Sequence, residues 1–137
     1  MIGILIVSHG NFGEALIRSA THVIGARPLR VLHLEVTIRD DPAAVLPRAR
    51  ELLRQLDAGA GVLLLTDMLG ATPSNIATQL LQAGRVEGIA GASLPMLIRA
   101  LTYRNEPLAA VVEKALSGGR EGVARLLGEV RSAAGRS

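Results

Sequence analysis

The sequence predicts an α/β fold, a mainly parallel sheet with helices on both faces. Three observations predict it. Short apolar runs alternate with longer amphipathic stretches, the pattern of repeated strand–helix units. Ile2 to Val7 and Val62 to Leu65 are apolar almost without interruption, as strands buried on both faces are. The chain has 137 residues, 49% of them hydrophobic and 20% charged, which is one domain's length with enough apolar side chain for a core. We expect a single domain over residues 1–130 and a frayed tail over 131–137.

Each element has its own signal. After the first strand, Ser8-His9-Gly10 turns the chain. Asn11 followed by Glu14 resembles a capping box, and Ala15, Leu16, Ala20 and Val23 continue at helical spacing until Gly25. Leu29 to Val36 reads as the second strand. Asp41-Pro42 opens a helix carried by Val45, Leu46, Leu52, Leu53 and Leu56, with Pro47 in its early turns, where it costs least. Gly59-Ala60-Gly61 precedes a third strand, Val62 to Thr66, and Asp67 to Ala71 is a loop. Thr72-Pro73 predicts an N-cap with proline at the first helical position, and that helix stops at Gly84. Val86 to Ala90 is a fourth strand. Ser93-Leu94-Pro95 opens a helix through Leu101; Pro107 opens another, which Ser117-Gly118-Gly119 breaks. Arg120 to Val130 fits either a helix or an edge strand.

Composition excludes several functions. There is no cysteine, so disulfides, thiolate metal sites and thiol catalysis are out. No apolar run approaches the roughly 18 residues of a membrane span, and the first ten residues lack the basic flank of a signal peptide. A cytoplasmic location is expected, with no membrane insertion. The net charge is +3, but the arginines are scattered and only Phe12 and Tyr103 are aromatic, which leaves little for nucleic acid to stack on.

In open α/β sheets, ligands bind outside the carboxyl ends of the strands where the strand order reverses. With the order 2-1-3-4, strands one and three are neighbours, and their ends carry His9 and Asp67. A carboxylate on one imidazole nitrogen fixes the tautomer and leaves the other nitrogen bare. The helix start Thr72-Pro73-Ser74-Asn75 offers unpaired N–H groups to an anion, and the Thr72 and Ser74 hydroxyls add donors. Gly10 and Gly70 leave room for a bulky partner. These parts suit phosphoryl transfer through histidine, in which positioning and charge stabilisation supply most of the catalysis. His22 and His33 lie away from this crevice, Ser8 reads as a turn residue, and Arg99 and Arg104 read as solvated.

The segments IGILIVSHGNFGEAL, VLLLTDMLGATPSNIA and GIAGASLPMLIRAL resemble the enzyme IIA component of the mannose/fructose-type phosphoenolpyruvate:sugar phosphotransferase system. The resemblance runs from Met1 to about Val130. It implies a phosphocarrier that accepts a phosphoryl group from the protein HPr and passes it to a IIB-type protein or a regulatory acceptor, with no cofactor or metal. It makes His9 the phosphorylated histidine and Asp67 its partner, and puts Gly70, Ala71 and Thr72 in the phosphoryl-binding loop, to which the residue chemistry adds Ser74. It also implies a three-layer fold of order 2-1-3-4 in a homodimer. A fifth, antiparallel strand, expected within Arg120 to Val130, is exchanged between the subunits. Many members have a second glycine and a serine where this chain has Ala71 and Thr72.

Other readings share the His-Gly start. Sirohydrochlorin-type chelatases need a later metal-binding histidine, and none follows His33. Histidine phosphatases carry arginine where Ser8 stands. The IIA-like subunit of dihydroxyacetone kinase systems usually has serine at the position of Gly10. A regulatory module that signals through His9 phosphorylation shares the same site.

Overall fold

The computed structural model describes residues 1–128. Four strands, β1 (Gly3–His9), β2 (Val31–Val36), β3 (Val62–Thr66) and β4 (Val86–Ala90), form one parallel sheet in the order β2-β1-β3-β4. Five helices, α1 (Phe12–Ile24), α2 (Pro42–Leu56), α3 (Thr72–Leu80), α4 (Leu94–Tyr103) and α5 (Leu108–Glu121), cover both faces. This is the predicted three-layer α/β fold.

The alternation of side chains along each strand divides the core. Ile4 and Ile6 of β1 and Leu63 and Leu65 of β3 face α1, α4 and α5, where Ile17, Leu97 and Val111 meet them. Leu5, Val7 and Leu64 face α2 and α3 and meet Leu56, Ile76 and Leu80. Gly3 has a steric role in the second layer: a Cβ there would lie 2.6 Å from the Leu56 carbonyl oxygen.

Several boundaries differ from the sequence reading. The second strand starts at Val31, because Arg30 turns the chain with a left-handed φ of 53°. α3 ends at Leu80, before Gly84, because Gln82 and Val86 exchange backbone hydrogen bonds of 3.0 and 2.8 Å in a tight return to β4. Its N-cap is Ala71, which makes Thr72 the first helical residue. The Asn11–Glu14 capping box does not form. Asn11 makes no side-chain cap bond, and the Ser8 hydroxyl accepts the Gly13 N–H at 3.0 Å instead.

Ser117-Gly118-Gly119 does not break α5, which continues to Glu121. These glycines are packing notches. A Cβ at Gly118 would lie 2.7 Å from Arg99 Cβ, and one at Gly122 would lie 2.7 Å from Pro95, so α5 rests directly on α4. Beyond Glu121 the chain turns, and residues 126–128 are helical; no strand occurs among described residues 120–128. Residues 129 and 130 of the expected fifth strand, and the tail 131–137, lie outside the described residues.

Arg104 also corrects the sequence reading. It is 6% exposed and has no carboxylate partner among the described residues. Its guanidinium donates to the carbonyls of Ile2, Leu29 and Arg30 at 2.6 to 3.1 Å, tying together the starts of β1 and β2. Arg99 pairs with Glu121 at 3.0 Å.

Candidate functional site

His9 ends β1 and pairs in register with Val36 of β2, while Val7 pairs with Thr66 of β3. Because β1 and β3 are neighbours, Asp67, one residue past β3, lies beside His9. Asp67 Oδ2 is 2.8 Å from His9 Nδ1 and also accepts the His9 backbone N–H at 3.1 Å. An ionised carboxylate can only accept, so Nδ1 carries the proton and Nε2 keeps its lone pair. The His9 side chain is 46% exposed and that of Asp67 14% exposed. The ring is therefore held by Asp67 on its Nδ1 side and partly open to solvent. Asp67 Oδ1 is buried without a hydrogen-bond partner, so the carboxylate is engaged on the histidine side alone.

Ser8 holds the chain that follows. Its hydroxyl is buried and anchors Gly13, while Gly10 takes a φ of 48° and donates its N–H to the Val36 carbonyl at 3.1 Å. This fixes the turn from His9 into α1. A Cβ at Gly13 would lie 2.8 Å from His33 Cβ, so only glycine lets α1 sit this close to β2.

The loop from Asp67 to Ala71 leads into α3. Gly70 has a φ of 83°, and its N–H donates to Ser74 Oγ at 2.9 Å; Ser74 Oγ donates in turn to the Ala71 carbonyl at 2.9 Å. Ser74 is 6% exposed and its hydroxyl is used in both directions. Of the four residues expected to meet an anion, Gly70 and Ser74 thus engage each other and shape the loop. The N–H groups of Ala71 and Thr72 precede the first bond of α3, from Asn75 N–H to the Ala71 carbonyl, and the Thr72 side chain is exposed.

The sequence reading missed an apolar rim. Ile38, just beyond β2, is 98% exposed, and Leu69, in the loop after β3, is 82% exposed, with Met68 beside it. Their positions just beyond two predicted strand ends were the available signal. His33 lies away from the crevice: its Nε2 is 2.6 Å from Glu14 Oε2, and Glu14 also meets Arg18 and Arg27. Partial burial pushes the Glu14 carboxyl up, but the hydrogen bond and charge of Arg27, with His33 and Arg18, bring it below its ordinary pKa. Among the described residues, no three His, Asp or Glu side chains converge as metal ligands, and no helix is long and apolar enough to cross a membrane.

Several known proteins are similar to this chain over most of its length. The mannose-specific EIIAB component of the phosphotransferase system from Escherichia coli K12 is 30% identical over 128 residues. The match covers 91% of this chain, which spans only 39% of that relative. The transcriptional regulatory protein LevR of Bacillus subtilis is 32% identical over 68 residues, 49% of this chain and 7% of LevR. Among solved structures, the phosphotransferase system component EIIA from Streptococcus agalactiae superposes with a TM-score of 0.81 at 26% identity, covering 92% of this chain and 98% of that one. The family model described as "PTS system fructose IIA component" (EIIA-man) matches residues 3–116, and the chain belongs to that family of phosphotransferase-system IIA components.

Proposed function

We propose that the chain is a phosphocarrier in which His9 Nε2 takes a phosphoryl group from phospho-HPr and passes it to a IIB-type protein. The observation that carries this reading is the 2.8 Å contact between Asp67 and Nδ1 of a histidine whose ring is nearly half exposed. In the transfer, the phosphorus–nitrogen bond of the donor breaks and its electron pair returns to the donor imidazole. The Nε2 lone pair of His9 forms the new bond. Nδ1 keeps its proton, and Asp67 stabilises the positive charge that develops on the ring. The N–H groups of Ala71 and Thr72, the Thr72 hydroxyl and the positive end of α3 receive the phosphoryl oxygens. Gly70 and Ser74 hold that loop in place. Ile38, Met68 and Leu69 give the donor and acceptor proteins an apolar rim to dock on.

The working form is a cytoplasmic homodimer of the single domain expected over residues 1–130. Val123, Leu126 and Leu127 are 83%, 83% and 62% exposed, more apolar surface than one short segment ordinarily leaves in water, and this supports a subunit contact there. The similarity to LevR favours a second reading, in which the phosphorylation state of His9 regulates a partner. Both readings use the same site and differ in the acceptor.

The test is incubation with phosphoenolpyruvate, enzyme I and HPr, followed by intact-mass measurement and peptide mapping. An acid-labile gain of one phosphoryl group on His9, absent without HPr and absent in a folded His9→Ala variant, is expected. No gain, with HPr active on another acceptor, overturns the reading and sends the site to metal titration as a tetrapyrrole chelatase. A monomeric mass at micromolar concentration overturns the dimer.

A further inference from the structure

A strongly basic cavity lies at the opposite end of the sheet from His9, where the last turns of α2 and α3 meet the start of β4. It encloses about 320 Å³, enough for a small organic molecule. Arg50 and Arg54 project into it from successive turns of α2, Arg85 faces them from the Gln82–Val86 return, and the amides of Gln79 and Gln82 complete its polar wall. The floor is apolar, formed by side chains such as Leu53 and Leu80.

The charges here do not balance. Arg54 is paired with Glu51, and Arg85 Nη2 with Asp57 Oδ2 at 2.5 Å. Arg50 has no carboxylate within 4 Å among the described residues, and its cationic group is the excess. Each paired guanidinium also keeps N–H donors beyond those given to its carboxylate. The cavity thus combines one unmatched positive charge, fork-shaped donors suited to two oxygens at once, amides for hydroxyl or carbonyl groups, and an apolar floor.

We propose that this cavity binds a small organic molecule through an oxyanion head, a carboxylate or a phosphate monoester. The site is separate from the phosphoryl crevice: α3 has its N-terminus at the Asp67–Ala71 loop and its C-terminus here, and its nine residues span about 13 Å.

The experiment is a titration of the ¹⁵N-labelled full chain with butyrate in one arm and inorganic phosphate in the other, followed by amide shifts. Saturable shifts at Gln79, Leu81, Gln82 and Arg85, half-complete at or below about 10 mM, are expected in at least one arm. The responding arm identifies the head. Arg50→Gln is expected to weaken that response at least about fivefold, and Arg48→Gln, an exposed neighbour on α2, to leave it unchanged. Shifts at Gly70 to Ser74 belong to the phosphoryl crevice and are read separately. Shifts that rise linearly without saturating in both arms, or an equal response in wild type and Arg50→Gln, overturn the proposal.

Discussion

The two ends of the parallel sheet treat their backbone groups differently. At the amino end the backbone is closed off. Arg104, 6% exposed, meets the carbonyls of Ile2, Leu29 and Arg30, and Asp57 receives the N–H groups of Gly59 and Gly61 at 2.8 and 3.3 Å. At the carboxyl end, polar capacity is left over. His9 keeps Nε2 in solvent, Asp67 Oδ1 has no partner, and Ile38 and Leu69 stand in water. Buried polar groups without partners cost free energy, so the first end is where stability is concentrated. Under the proposed function, the exposed His9 ring and the apolar rim at the second end are the groups that meet partner proteins. A parallel sheet encourages this division because every strand points its carboxyl end toward the same edge.

The largest expected effect separates the two ends by function. Asp67→Asn presents an amide that can donate as well as accept, so the imidazole is no longer held with its proton on Nδ1. Phosphoryl transfer to His9 is expected to fall about 100-fold or more, with the melting temperature within about 2 °C of wild type. Rapid-quench transfer from phospho-HPr, read beside a thermal melt, checks both halves. Transfer at the wild-type rate would mean that the pair is structural.

Arg104→Met is the converse. It removes the donors from the buried Ile2 carbonyl and the part-buried Leu29 and Arg30 carbonyls while roughly keeping side-chain length, and is expected to cost about 3 kcal/mol in urea unfolding. Phosphoryl acceptance below the transition should stay within about twofold of wild type. A variant that loses acceptance while remaining folded would show that the two ends are coupled.

The carboxyl end was legible in the sequence and the amino end was not, for a physical reason. His9 and Asp67 each stand just after an apolar run that reads as a buried strand, and parallel topology does the rest. Ser74 stands in the expected helix start, but its hydroxyl binds Gly70 and Ala71, a short-range closure that a search for free donors overlooks. Arg104 stands 102 residues from Ile2 and 75 from Leu29, so nothing local marks it as buried. Asn11 and Glu14 carry a capping pattern, yet Glu14 is drawn off by His33 and Arg27, partners that no local window contains. Gly118 and Gly119 read as a break because helix propensity is local, whereas the surface that requires them belongs to α4.

A glycine contact between helices, on the face of the sheet away from α2 and α3, gives an effect of intermediate size. Pro95 and Arg99 stand on α4, and Gly118 of α5 packs against both. Gly118→Val puts a branched side chain where a Cβ alone would lie 2.7 Å from Arg99 Cβ and 3.0 Å from the Pro95 carbonyl oxygen. The expected loss is about 2 kcal/mol in denaturant unfolding, with His9 still phosphorylated. Stability near wild type would mean that α5 shifts on α4 without cost.

The smallest effect tests whether the closed end can be opened without mutation. The Asp57 carboxyl is held below its ordinary pKa of 3.8, first by the Gly59 N–H, with the Gly61 N–H and Arg85 adding to it against the opposing effect of burial. A carboxyl whose folded pKa is depressed favours the folded state fully at pH values above its unfolded pKa. Its contribution is lost as pH falls through the lower, folded value. Stability should therefore be flat in this respect at neutral pH and decline below about pH 3.8, as Asp57 protonates and releases the 57–61 turn. Asp57→Asn keeps an oxygen for the glycine N–H groups but loses the charge that meets Arg85, an expected cost of about 1 kcal/mol at pH 7. The same variant should have a shallower acid limb than wild type in unfolding midpoints measured from pH 7 to pH 2. An equally steep limb would assign the acid sensitivity to another carboxylate, leaving Arg104 as the principal closure of the amino end.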